Sequence, residues 1–131
     1  MPALDRLAGL RVVGDPAALD GATWQGDGDI LVLRLGPDEI FAAGATHVVV
    51  ADDHAIIEPE AGFVGARLGP GDWHGLLDHI EWRLPDARPA LAQGSIAGVP
   101  AKLWLTDGDG SMVVVAAVHA AVLAERLGWS R

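Results

Sequence analysis

The chain has 131 residues, half of them apolar, and carries 9 Lys+Arg against 18 Asp+Glu, a net charge of −9. That apolar fraction excludes intrinsic disorder, and a single domain spanning 1–131 is expected at this length. The acidic balance excludes a nucleic-acid binder and a ligand of anionic membranes, because the only lysine is Lys102 and the eight arginines are scattered. Cysteine is absent, which removes disulfides, thiolate nucleophiles and zinc–thiolate sites. No apolar run approaches the roughly 20 residues of a membrane-spanning helix. Met1-Pro2-Ala3-Leu4-Asp5-Arg6 breaks off before any signal-peptide core, so a cytoplasmic location is expected.

In chain order, residues 1–29 read as a loop-rich segment and 30–131 as an α+β body. Pro2 to Gly9 reads as one or two helical turns, with Leu4, Leu7 and Ala8 on one side. Gly14 to Asp29 is rich in Gly, Asp and Ala and reads as loop pinned by Trp24. Strands are expected at 30–35, 46–50 and 54–58, the last ended by Pro59, and again at 62–68. Trp73, Leu76, Leu77 and Ile80 fall at i, i+3, i+4 and i+7 and predict a helix over 72–82. Strands follow at 90–99, 101–106 and 112–115. Asp107-Gly108-Asp109-Gly110 connects the last two as a hairpin. A final helix over 117–127 buries Ala120, Leu123, Ala124 and Leu127. The fold class is therefore α+β, a mostly antiparallel sheet with two main helices packed on it.

Residues able to carry chemistry are few. His74 and Asp78 are four apart on the polar face of the 72–82 helix and could share a metal, with His47, His54 or Asp53 as a further ligand. The plainer reading is a solvated helix face. Asp52-Asp53-His54 reads as a polar turn, and Glu58 and Glu60 beside Pro59 as another. Gly26-Asp27-Gly28-Asp29 and Asp107-Gly108-Asp109-Gly110 lack the terminal bidentate Glu of a calcium loop and read as hairpin turns. Gly69-Pro70-Gly71 before a helix lacks the motif of a phosphate loop, and Asp72 would repel an anion there. Ser95, Ser111 and Ser130 sit in no nucleophile elbow. No catalytic residue is assigned.

The stretch from Gly62 to Trp129 carries a series of features in order. They are Arg67-Leu68-Gly69-Pro70-Gly71, a helix with Leu76-Leu77, Leu84-Pro85, Arg88, and Ala92-Gln93. Ile96-Ala97-Gly98-Val99-Pro100, Leu103-Trp104 and Leu127-Gly128-Trp129 complete it. This series resembles the C-terminal part of the gamma subunit of heterotetrameric sarcosine oxidase, a relative of the folate-binding domain of the aminomethyltransferase superfamily. Leu35-Gly36-Pro37-Asp38-Glu39 is similar to a turn of the same superfamily. The resemblance covers about half of the chain, and the N-terminal third does not match clearly. It implies the fold of a single aminomethyltransferase-like folate-binding domain. It further implies a cofactor-free accessory subunit that packs against larger subunits holding flavin, NAD and folate. None of the matching positions is a catalytic residue in that family.

Two other readings stay open: a small metal-dependent enzyme built on His74 and Asp78, and a stand-alone homo-oligomeric binding domain. Five tryptophans are more than a small core readily hides, so some are expected at a partner surface. Trp82 and Trp129, at a helix end and near the C-terminus, are the candidates. The partner is a large flavoprotein subunit or a second copy.

Overall fold

The computed structural model describes residues 2–108 and 110–129. The chain is α+β, mainly antiparallel strands with short helices, and divides into two compact units: residues 7–61, and residues 62–131 together with 1–6.

In the 7–61 unit, β1 (Asp5–Val13), β3 (Leu31–Gly36) and β4 (Glu39–Ala43) form antiparallel ladders in the order β3-β4-β1. Pro37-Asp38 is the two-residue connection of the β3–β4 hairpin, which pairs Gly36 with Glu39. A separate two-stranded ladder joins β2 (Thr23–Gln25) to β5 (His47–Val49), pairing Trp24 with Val48. The helix α1 (Pro16–Asp20) lies between β1 and β2. Its N-cap Asp15 accepts from Ala18 N–H, and Pro16 supplies the preset φ of a first helical position. Val12, Leu19, Ile40, Ala42, Ala45 and Val48 form the core, with Trp24 partly buried against it.

Three expectations fail in this unit. Residues 5–9 belong to β1, not to helical turns. The i, i+3, i+4 spacing of Leu4, Leu7 and Ala8 is overridden by pairing of Gly9–Val13 with Ala43–Glu39. The approach is so close that a Cβ on Gly9 would fall 1.9 Å from the Ala42 carbonyl oxygen. Gly26-Asp27-Gly28-Asp29 is not a hairpin turn, since it joins β2 to β3, which pair with different partners. Glycine is required at 26 because a Cβ there would lie 2.2 Å from the Gly44 carbonyl oxygen. The strand near 46–50 pairs with β2 and stands outside the larger ladder.

β6 (Ile56–Arg67) carries the chain into the second unit. It runs through Pro59, which does not end it: the fixed φ of proline fits extended backbone, and the pairing with β9 is confined to Phe63–Arg67. After the helix α2 (Asp72–Leu77) come β7 (Ala90–Ile96), β8 (Val99–Leu105) and β9 (Met112–Ala116). A 3₁₀ turn (Ala117–His119) then leads into α3 (Ala120–Leu127). The strands are antiparallel in the order β6-β9-β8-β7. The β–α–β–β–β–α order matches that read from the sequence.

Along β8, Val99, Ala101, Leu103 and Leu105 alternate inward. They share one core with Val113, Val115, Leu76 of α2 and Leu123 of α3, with Trp73, Ile80 and Leu127 packed against it. Both helices thus bury a face on the sheet. Leu77 departs from the expected stripe and is 44% exposed. The helix also stops at Leu77, short of 82. His79 and Ile80 donate to Leu76 and Leu77, a tightened i→i−3 ending, and Gly75 weakens the helix from within. On the other sheet face, Lys102 Nζ lies 5.5 Å from the Phe63 ring centroid.

Candidate functional site

The residues with chemical potential are largely engaged in holding the chain. Asp52 occupies the turn between β5 and β6. Its Oδ2 accepts from Asp15 N–H at 2.8 Å and its Oδ1 from His54 N–H at 2.9 Å. These two backbone donors, that of Asp15 first, hold its carboxyl below the usual carboxylate range, with a smaller contribution from the nearby His54 charge. Asp52-Asp53-His54 is therefore a fastened turn, as its sequence suggests. Among the described residues, Ser111 is the one buried polar side chain. Its Oγ accepts from Thr106 N–H at 3.0 Å and lies 3.2 Å from Thr106 Oγ1. It closes the β8–β9 connection, and Thr106 Oγ1 also donates to Gly108 O. Asp109 of that connection, together with Ser130, lies outside the described residues.

Asp72 folds back over the turn that precedes it: its Oδ2 accepts from Gly69 N–H at 2.6 Å while its own N–H donates to Gly69 O. The backbone donor an anion would need at Gly69-Pro70-Gly71 is occupied by the chain's own carboxylate. His74 sits in the last turn of α2 and Asp78 is its C-cap residue. Among the described residues, no three His, Asp or Glu side chains come together in a way that could hold a metal ion.

Trp82 and Trp129 are both half-buried against the core of their unit. Trp82 leaves α2 and lays its indole over β7. Its Nε1 donates to Ser95 O at 2.7 Å. Arg88 braces the following turn, donating to Pro85 O and Ala87 O. Trp129 is positioned by the end of α3. Gly128 takes the left-handed conformation (φ 74°) and donates to Glu125 O, while Trp129 N–H donates to Ala124 O at 2.7 Å. That pair of bonds is a Schellman ending, which brings the residue after the glycine back against the last helical turn. Leu127-Gly128-Trp129 was the local signal for it.

The indole of Trp129 then walls an open groove of about 400 Å³, lined also by Leu4, Asp5, Ala120, Ala121 and Ala124. Alanine methyls and an indole offer apolar area, and Asp5 is the single carboxylate. The groove is suited to contact and not to proton transfer. Val118, 83% exposed, and Val122, 42% exposed, lie in the same C-terminal helical segment as the alanines. The sequence points to Trp129, and it places Ala120 and Ala124 on the buried face of the last helix, but alanines carry no pattern that marks them as the lining of a groove. Among the described residues, no helix is long and apolar enough to cross a membrane.

No protein-family model matches the chain. No curated protein matches it either. Among solved structures, it is similar in fold to a chain of the heterotetrameric sarcosine oxidase from Corynebacterium sp. U-96, solved in complex with pyrrole 2-carboxylate. The match has a TM-score of 0.68 at 17% identity and covers 96% of this chain and 79% of that one. At that identity the likeness establishes the fold, and it extends over the N-terminal third that the sequence left unmatched.

Proposed function

We propose that this chain is an accessory subunit without a catalytic centre of its own, gamma-like in kind, belonging to an amine-oxidising complex of the sarcosine oxidase type. The observation that carries the reading is the fold likeness over 96% of the chain to one chain of a heterotetrameric oxidoreductase. The matched chain is also of comparable size, since this short chain spans 79% of it. The engagement of Asp52, Asp72 and Ser111 in local turns supports it further. In this reading the flavin belongs to a larger subunit, the complex works in the cytoplasm, and the contact surface includes Trp129 or Trp82.

The test is affinity purification of the tagged full chain from the organism that makes it, with native mass spectrometry and flavin absorbance. The expected result is co-elution in fixed stoichiometry with a large flavoprotein, and oxidation of sarcosine or another N-methyl amine that depends on the presence of the chain. A chain that elutes alone and turns over an N-methyl amine unaided would overturn the reading.

A further inference from the structure

The formal charge is divided very unevenly along the chain. Residues 7–61 hold ten carboxylates against two arginines, a net of −8, whereas the remaining residues hold eight against seven. Both arginines of the acidic unit are already paired within it, Arg11 with Glu39 and Arg34 with Asp20. The same unit exposes large apolar side chains in a single short stretch. Val49 is 58% exposed, Ile56 55% and Ile57 45%, half of the exposed large hydrophobics among the described residues. Val48 faces the core, so strand alternation turns Val49 away from it, while Ile56 and Ile57, successive residues of β6, stand on opposite sides of that strand. Asp53 and Glu58 are exposed in the same stretch of chain. The turn between them is fixed in advance, by the two N–H bonds to the Asp52 carboxylate and by Ala55 N–H donating to Asp52 O.

We infer that the segment Val49–Glu58 is a docking surface for a protein partner that presents lysine and arginine together with apolar side chains. The inference rests on the accessory-subunit reading and adds a contact surface to it. Exposed apolar side chains interspersed with charged ones are ordinary in such a contact. A unit of net −8 is drawn to a basic surface and repelled by a second copy of itself, so charge selects a different protein over self-association. A preformed turn also avoids the ordering cost that a loose loop would carry into binding.

The experiment compares hydrogen exchange of the full chain alone with that of the native assembly purified from its own organism. It then repeats assembly with the double variant Asp53→Lys/Glu58→Lys at low and high salt. The expected result is protection of residues 49–58 in the assembly, and affinity lowered about tenfold or more by the variant, with its salt dependence reduced. An assembly that forms with residues 49–58 still exchanging freely overturns this inference and leaves the accessory-subunit reading standing. A chain that associates only with copies of itself, or with nothing, overturns both. The footprint is read on the unmodified chain, so it does not depend on the variant folding.

Discussion

A β-carbon placed on Gly94 would fall 2.4 Å from Cε2 of Trp82 and 2.8 Å from its Nε1. The indole therefore rests on the bare backbone of β7, and no other residue type at 94 admits it. Gly94→Ala is expected to cost about 1–3 kcal/mol, as overpacking does. In a Trp82→Ala background the same change should cost far less, because the clashing group is gone. Urea denaturation of the four proteins measures the coupling. Equal costs in both backgrounds would contradict the contact.

The β7–β8 hairpin turns through Ala97 (φ 50°) and Gly98 (φ 78°), two residues with positive φ as this turn class requires. Ala97 is the only described non-glycine residue in that region, and its carbonyl accepts from Arg126 Nη1 of α3 at 2.7 Å. Asparagine tolerates the conformation better than alanine, so Ala97→Asn is expected to stabilise by about 0.5 kcal/mol. The β-branched Ala97→Val should destabilise by about 1–3 kcal/mol. Thermal melts of the two variants should move in opposite directions.

Asp52 gives a pH dependence of known sign. Its folded carboxyl titrates below the ordinary value while the unfolded chain titrates near pH ~4. The unfolded state thus binds the proton first. The stabilisation is present above the unfolded value and is lost as pH falls through the folded one. Asp52→Ala is expected to be less stable than the parent at neutral pH, with the gap closing as the solution is acidified. Parallel denaturation curves across the acid range check it, and a gap independent of pH would refute the role of the carboxylate.

The end of α3 offers a fourth test. Gly128 sits at φ 74° and sets the direction of Trp129. Gly128→Ala is expected to cost about 1 kcal/mol, since a left-handed residue acquires a Cβ. If Trp129 belongs to a partner contact, the same change should also weaken assembly with that partner. Calorimetry and native mass spectrometry read the two effects separately.

How much of this was legible in the sequence depended on whether a signal was local. The second unit announced itself: β8 alternates cleanly, and Trp73, Leu76 and Ile80 mark the buried side of α2. The Leu127-Gly128-Trp129 ending likewise needs no distant partner to be read. β1 was misread because Leu4, Leu7 and Ala8 mimic helical spacing. Its strand character comes from pairing with β4, some thirty residues on. Gly26 looked like a turn residue, yet its cause is the carbonyl of Gly44. The groove beside Trp129 could not be foreseen, because it joins the first residues of the chain to the last helix through alanines of no distinctive type.

The bond from Trp82 to Ser95 also bears on how copies of this chain meet. β7 ends its sheet, and edge strands invite extension by another molecule. Ile96 and Val99 flank a two-residue turn, so they form a hydrogen-bonded pair and the Ser95 carbonyl alternates to the outer side. The indole N–H takes that carbonyl, which is then no longer free to accept from an incoming strand. Growth of a sheet from molecule to molecule is disfavoured at Ser95, where the edge acceptor is already taken. Concentrated solutions of Trp82→Ala should accordingly be prone to fibrillar aggregation from which the parent is protected.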